Sequence, residues 1–253
     1  MNELDLRPRS ATEIVDAAFQ LYRRGPTQLI LAAAIVYVPW LIVRLVFDLG
    51  VSEEVPSLST GIWLFAGVIV VYSIVGGVVS VLASDAYLGR PLDTAAAFRL
   101  TASRLLSLIV AGAIRAICIF LGVILLVFPG VYALSAFFAV TQTVVLEGSG
   151  AAGSLSRSSA LSVGLKAHII GTLFLIGLIG LSITVGIGLL SSMSQSKVVV
   201  NVVSTAVAIV LYPLFGLVET LLYYDARIRK EGFDVEYLAG VQPNAGAAQR
   251  ATI

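Results

Sequence analysis

Residues 168–190 read HIIGTLFLIGLIGLSITVGIGLL, without a single Asp, Glu, Lys or Arg. An α-helix rises about 1.5 Å per residue, so about 20 apolar residues cross the roughly 30 Å hydrocarbon core of a bilayer. Uninterrupted apolar runs of this length are typical of membrane spans rather than of helices in soluble proteins. The stretch predicts a transmembrane helix from His168 to Leu190.

Five other stretches share this apolar character. The six predicted spans are Thr27–Phe47, Gly61–Ser84, Leu105–Phe128, Val131–Leu146, His168–Leu190 and Val198–Tyr224. The fourth is the shortest, and Pro129-Gly130 leaves almost no loop before it. The chain is 58% hydrophobic and 12% charged, with a mean hydropathy of +0.98, whereas soluble domains have about 25% charged residues. We expect an all-α integral membrane protein with one six-span domain over residues 1–240, followed by a disordered tail at 241–253.

The basic residues are distributed unevenly between the two sides of this topology. Apart from Arg44, Arg115 and Lys197, every Lys and Arg lies either before the first span or directly after the second, fourth or sixth span. Because cytoplasmic loops are enriched in Lys and Arg, this side is predicted to face the cytoplasm. The first 26 residues mix arginine with acidic residues and have no apolar core, unlike a secretory signal peptide. Both termini are therefore expected in the cytoplasm.

Three amphipathic stretches, at about 10–24, 91–104 and 153–166, each lead directly into a span. Each has Ser, Thr or Asp near its start and basic residues near its end, an order that suits the helix dipole. We expect three short helices, called elbow helices below, that lie in the cytoplasmic interface. The chain would then consist of three repeats of an elbow helix and a transmembrane hairpin. The alternative is that any loop helix before a span looks amphipathic.

Small residues at four-residue spacing form stripes on two spans: Gly76, Ser80 and Ser84 on the second, and Gly180, Thr184, Gly188 and Ser192 on the fifth. Small residues let membrane helices approach closely, so we interpret both stripes as packing seams rather than pore linings. Pro39 and Pro213 each remove a backbone hydrogen bond, which predicts kinks in the first and sixth spans.

Arg115 and Glu219 are charged residues placed within predicted spans, at depths that differ by one or two helical turns. Charges inside a membrane are costly and are functional candidates by default. We expect them to form an intramembrane ion pair, with a structural role favoured over a substrate or proton site. Arg44, near the outer interface, is expected to reach the headgroups or to pair with Asp48.

A further set of charged residues lies at the predicted cytoplasmic ends of the helices and forms a candidate rim. Its members are Arg23, Arg24, Asp85, Arg104, Arg157, Asp225 and Arg227. The two aspartates are expected to cap helices or pair with elbow arginines, which would tie the elbows to the bundle. Basic interfacial segments also attract anionic headgroups at about 1 kcal/mol per charge. We therefore expect membrane lipids, and a membrane or cytoplasmic protein, as partners.

The sequence carries no pattern that predicts catalysis, a cofactor or a metal site. His168 is the single histidine and Cys118 the single cysteine, so neither a zinc-protease pair nor a disulfide can form within the chain. Gly148–Gly153 matches GxGxxG, but its flanks read as spans and not as the βαβ unit that dinucleotide binding needs. The net charge of +1 gives no indication of nucleic-acid binding.

Three stretches carry a resemblance to a known family. They are LRPRSATEIVDAAFQLYR at 6–23, Val145–Glu147 with Ser154–Ser158, and LYYDARIRKEGFD at 222–234. Together they resemble the bacterial family named for the membrane domain of glycerophosphoryl diester phosphodiesterase, and YciC-type uncharacterised inner membrane proteins. The resemblance implies a bacterial inner-membrane location. In some family members a fused soluble barrel carries the catalysis, and that activity is not carried over to this chain.

The sequence favours a non-enzymatic membrane module that scaffolds, anchors or organises lipids at the cytoplasmic face. The alternative is a small transporter or lipid-handling protein with a site near Arg115 and Glu219. A solvated cavity between those two residues would favour transport, whereas a direct contact would favour the scaffold.

Overall fold

A computed structural model describes residues 6–50, 58–192, 196–235 and 237. In these ranges the chain forms ten helices: α1 Ala11–Arg24, α2 Pro26–Gly50, α3 Leu58–Tyr87, α4 Thr94–Ser103, α5 Leu105–Leu125, α6 Val127–Ala136, α7 Val140–Glu147, α8 Ala151–Ser162, α9 Lys166–Ser192 and α10 Lys197–Glu231. The tail predicted at 241–253, and the domain boundary before it, lie outside the described residues.

Six helical segments are long and apolar enough to cross a membrane: Pro26–Phe47, Leu58–Tyr87, Leu105–Leu125, Val127–Glu147, Lys166–Leu190 and Lys197–Glu231. They overlap the six predicted spans, and the prediction of an all-α, six-span membrane protein is confirmed. The fourth span is the most buried of the six and consists of two helices, α6 and α7.

The elbow helices are α1, α4 and α8. Ser10 caps α1 and forms a capping box with Glu13, while the Asp93 side chain caps α4 by accepting from the amide of Ala96. The third elbow starts and ends earlier than predicted, because Gly150 supplies its N-cap and Lys166 already belongs to α9.

All three elbow helices gather at the end of the bundle where α10 finishes. There α1 packs on α9 and α10, α4 packs on α3, and α8 packs on α7 and α10. We call this the elbow end. The order of a short helix followed by two spans occurs three times along the described chain. Descent of the three units from one repeat stays a prediction.

The hairpin between the third and fourth spans turns at Leu126, whose backbone is extended, and not at Pro129-Gly130 as predicted. Pro129 lies in the first turn of α6, where a missing amide hydrogen costs little because first-turn amides lack helical partners. A Cβ on Gly122 would lie 2.7 Å from the Gly130 nitrogen. The two glycines therefore let the α5 and α6 backbones approach closely enough for a one-residue turn.

The fourth span breaks between α6 and α7, and a serine from the third elbow fills the break. Ser158 Oγ donates to the Ala136 carbonyl at 2.9 Å and accepts from the Ala139 amide at 3.0 Å. Backbone groups freed at membrane depth need such partners because no water is present there. The buried face of α8 is accordingly a serine stripe, Ser154, Ser158 and Ser162 with Leu161, rather than the apolar face of an interfacial helix.

The two predicted packing seams have different outcomes. On α3, Ser80 accepts a hydrogen bond from the buried Gln142, and Ser84 lies 2.6 Å from the Tyr224 hydroxyl, so this seam is internal. On α9, Gly180 packs against Phe215. The next two members of that stripe, Thr184 and Gly188, are exposed on the half of the span that lies away from the elbow end. The seam predicted on the fifth span is therefore not internal to this chain at Thr184 and Gly188. The side chain of Ser192, its last predicted member, lies outside the described residues.

Pro39 and Pro213 lie inside the continuous helices α2 and α10. Close to the second proline, the Tyr22 hydroxyl of the first elbow donates to the Val210 carbonyl at 3.0 Å. The kinks themselves stay a prediction.

Candidate functional site

Five side chains at the elbow end form a closed ring of hydrogen bonds and ion pairs, called the charged ring below. Arg157 of α8 lies 2.9 Å from Glu147 at the end of α7, and 2.5 Å from Glu231 at the end of α10. Arg227 lies 3.0 Å from Glu231 and donates to the Tyr223 hydroxyl at 3.4 Å. Tyr223 closes the ring by donating to Glu147 at 2.8 Å. The ring ties the third elbow to two spans.

The two carboxylates of the ring, Glu147 and Glu231, stabilise the charged form of Arg157, which lies between them. Hydrogen bonds from Arg157 to Glu231 and Glu147 raise the pKa of the Arg157 guanidinium above its ordinary value. Arg157 therefore serves as an internal clamp, because both of its carboxylate partners are already in contact with it. It is a poor candidate for recognising an external anion.

Asp225 is 2% exposed and accepts hydrogen bonds from three directions. Its donors are the Arg9 amide at 2.7 Å, His168 Nε2 at 3.1 Å and Arg229 Nε at 2.7 Å. Arg229 also donates to the Arg9 carbonyl at 2.7 Å. Asp225 was predicted to cap a helix or to pair with elbow arginines, whereas these partners lie on the N-terminal segment, α9 and the next turn of α10. His168 is correspondingly a partner of Asp225 rather than an isolated interfacial residue.

Asp85 and Arg104 also have partners that differ from the expected elbow pairing. The nearest cation to Asp85 is Arg90, at 3.7 Å. Arg104 donates from Nη1 to the carbonyls of Val144, at 3.0 Å, and Val145. These carbonyls belong to the last turn of α7, where a helix lacks internal donors and carries partial negative charge. Arg104, which lies between α4 and α5, thus caps the end of α7.

Three arginines of the elbow helices differ from these hydrogen-bonded residues. They are Arg23 and Arg24 at the end of α1, and Arg99 on α4. All three are exposed. Within the part of the chain that the structure describes, they make no hydrogen bond or ion pair. The elbow end therefore presents these three cations to its surroundings, whereas Arg104, Arg157 and Arg229 are engaged internally.

A cavity of about 350 Å³ opens at the elbow end between α3, α4, α7 and α10. Three arginines and one carboxylate line it: Arg90, Arg104, Arg227 and Asp85. Aromatic rings form another part of its wall, from Tyr223, Tyr224, Phe233 and Tyr237. The Arg227 guanidinium carbon lies 4.5 Å from the Phe233 ring centroid. Asp85, Arg104 and Arg227 belong to the predicted rim, whereas Arg90 and the aromatic wall were not among the predicted residues.

Arg115 and Glu219 are brought together inside the bundle, with Arg115 Nη2 3.0 Å from Glu219 Oε1. Their side chains are 18% and 25% exposed, and neither lines the cavity at the elbow end. Arg44 has no partner among the described residues, and the side chain of Asp48, its expected partner, lies outside them.

The remaining motifs and reactive residues considered in the sequence are the GxGxxG segment, possible metal ligands and Cys118. Gly148, with φ of +77°, ends α7, and Gly150 begins α8, so the GxGxxG segment connects two helices and follows no strand. Among the described residues, no three His, Cys, Asp or Glu side chains cluster as metal ligands would. Cys118 is a free thiol.

The chain matches no protein-family model, no curated protein and no solved structure. The resemblance to the phosphodiesterase membrane-domain family stays a prediction.

Proposed function

We propose that this chain is a non-catalytic scaffold of a bacterial inner membrane that gathers anionic lipid at its cytoplasmic face. In this proposal the elbow end and both termini face the cytoplasm. The membrane location rests on six apolar spans, and the orientation rests on the basic residues collected at one end of the bundle.

One observation carries the proposal: Arg23, Arg24 and Arg99 are exposed and lack partners among the described residues. Internal clamping already uses Arg104, Arg157 and Arg229, so the three free arginines are not needed to close the bundle. Each cation at a membrane surface attracts anionic lipid with about 1 kcal/mol. Three such charges on two elbow helices suit a patch of anionic headgroups.

The contact between Arg115 and Glu219 supports the scaffold over the alternative of a small transporter. The two side chains meet directly at 3.0 Å, and the cavity at the elbow end is lined by neither. A direct ion pair locks two spans together, whereas a transport site would hold its charges apart around a substrate.

The test measures the lipids that remain with the protein after purification in mild detergent. Phosphatidylglycerol and cardiolipin are quantified against phosphatidylethanolamine by mass spectrometry, for wild type and for Arg23→Gln/Arg24→Gln/Arg99→Gln. The matched control is Lys197→Gln, an exposed cation at the start of α10, opposite the elbow end. We expect a severalfold loss of anionic lipid in the triple variant and none in the control.

Equal lipid retention in all three proteins would overturn the proposal. A separate measurement tests the orientation: reporters fused to the two ends should both give a cytoplasmic signal. Reporters in opposite compartments would contradict an even number of spans.

A further inference from the structure

We propose that the cavity at the elbow end binds one phosphate group, carried either by a lipid headgroup or by a small soluble phosphate. The site rests on Arg90, Arg104 and Arg227, none of which belongs to the exposed patch of the scaffold proposal. The two proposals can therefore fail separately.

The charge of the lining gives the first argument. Three guanidinium groups and one carboxylate, Asp85, face the same cavity, which leaves a net excess of positive charge. Guanidinium groups bind phosphate oxygens through paired, charge-assisted hydrogen bonds. A phosphate monoester supplies three acceptor oxygens, which suits a cavity lined by three arginines.

Donor availability gives the second argument. Arg104 engages described acceptors through Nη1, and Arg227 engages them through Nε and Nη1. Within the described chain, Nε and Nη2 of Arg104 and Nη2 of Arg227 have no hydrogen-bond acceptor. The Arg90 side chain is 53% exposed, and its nearest carboxylate oxygen lies 3.7 Å away, beyond a hydrogen bond. Each arginine therefore retains donors for a ligand.

Two of the three arginines are held in place before any ligand arrives. The α7 carbonyls fix Arg104, while Glu231 and the face of the Phe233 ring fix Arg227. Ordering a long side chain on binding costs free energy, so arginines that are already fixed bind more tightly. Arg90 follows the left-handed Gly89 at the end of α3 and completes the site from the exposed side.

The remaining wall suits the organic part of a phosphate compound. Aromatic rings from Tyr223, Tyr224 and Phe233 and apolar side chains such as Leu88 and Leu100 line the cavity beside the arginines. Its volume of about 350 Å³ lies within the range of about 300–1,000 Å³ for small-molecule pockets. Basic pockets between spans near the cytoplasmic surface also bind phospholipid headgroups, so both sources of phosphate share this chemistry.

The experiment titrates the purified full chain in detergent with four probes, and native mass spectrometry counts the bound molecules. The probes are dihexanoyl phosphatidic acid, dihexanoylglycerol with the same chains and no phosphate, glycerol 3-phosphate, and inorganic phosphate. We expect saturable binding of one phosphatidic acid molecule and none of dihexanoylglycerol. Binding of glycerol 3-phosphate or inorganic phosphate with similar affinity would identify a soluble phosphate, and dependence on the acyl chains would identify a lipid.

The variants separate this site from the exposed patch. Arg90→Gln should weaken binding about tenfold, the effect of one lost arginine–phosphate contact. The matched control Arg99→Gln, on α4 and outside the cavity, should bind like wild type. Leu100→Phe keeps every charge and fills the cavity, so it should also weaken binding, with an unchanged melting temperature confirming that both variants fold.

Three results would overturn the phosphate site. They are equal binding of phosphatidic acid and dihexanoylglycerol, equal loss in Arg90→Gln and Arg99→Gln, and the absence of a saturable site. The triple variant of the scaffold test should keep this site intact. Its lipid loss with unchanged phosphate binding would show that the patch and the cavity are separate.

Discussion

The break in the fourth span makes a quantitative prediction about Ser158. Its hydroxyl bonds both the Ala136 carbonyl and the Ala139 amide, and all three residues are buried. Ser158→Ala removes both partners at once and changes the side-chain volume by a single oxygen. The stranded carbonyl and amide have no access to water, so the folded state should lose stability directly.

The size of the loss follows from the number of bonds. Stranding a buried donor or acceptor costs about 1–3 kcal/mol in soluble proteins, whereas hydrogen bonds between membrane helices average about 0.6 kcal/mol. Two bonds at the membrane average set a lower bound near 1 kcal/mol. We expect the free energy of unfolding to fall by about 1–3 kcal/mol.

Reversible unfolding in mixed micelles of a mild detergent and dodecyl sulfate measures this difference. The matched control is Ser156→Ala, an exposed serine on the same helix, which should change stability by less than about 0.5 kcal/mol. Ser158→Cys keeps the shape with a weaker donor and should fall between the two. A Ser158→Ala protein as stable as Ser156→Ala would refute the role assigned to this serine.

Three further predictions use the same purified protein. Arg115→Met leaves the Glu219 carboxylate without its partner, so this variant should lower the free energy of unfolding by about 1–3 kcal/mol. The double variant Arg115→Met/Glu219→Met should recover most of that loss, and a double variant as unstable as Arg115→Met would contradict the prediction. Gly148→Ala forces a side chain into φ of +77° and should cost about 1–2 kcal/mol in the same assay, whereas no change would show that the turn tolerates a Cβ. Hydrogen bonds from the Ser10 backbone and from Arg7 lower the pKa of Glu13 to about 2 from 4.5. The ionised Glu13 carboxylate therefore stabilises α1 fully above pH 4.5, and this stabilisation is lost as the pH falls toward 2. Hydrogen exchange of the α1 amides should follow this pH dependence in wild type and not in Glu13→Gln.

Features of the fold that depend on local sequence could be predicted. Span positions follow from the length of apolar runs, and the first two elbow helices begin where Ser10 and Asp93 can cap them. Both signals act over a few residues, so one sequence is enough to read them.

Features that depend on contacts between distant residues could not be predicted. The break in the fourth span is stabilised by Ser158, from a different helix, and the turn at Leu126 requires the close approach of Gly122 and Gly130. The run from Val131 to Leu146 contains no glycine, proline or charged residue, so no local pattern marks its interruption. Helical propensity alone predicts one continuous span there.

Some charged contacts could likewise be predicted from local sequence, whereas others depend on how distant helices pack. The pairs Asp225–Arg229 and Arg227–Glu231 are four residues apart on one helix, and that spacing is visible in the sequence. Arg157 and Glu231 are separated by 74 positions, and their pairing depends on how α8 docks against α10. Several members of the rim could therefore be predicted, whereas the expected pairing of Asp85 and Asp225 with elbow arginines was wrong.

The short helix α7 links the broken span to the cavity. It has eight residues, and helices shorter than about 12–15 residues are marginal without tertiary contacts. Ser158 bonds the Ala139 amide just before α7 begins, and Arg104 bonds the carbonyls of its last turn. Because Val145 and Leu146 of this helix form part of the cavity wall, contacts at either end of α7 determine the shape of the wall. Ser158→Ala should therefore weaken phosphate binding as well as stability, although Ser158 does not line the cavity, whereas Ser156→Ala should leave both unchanged.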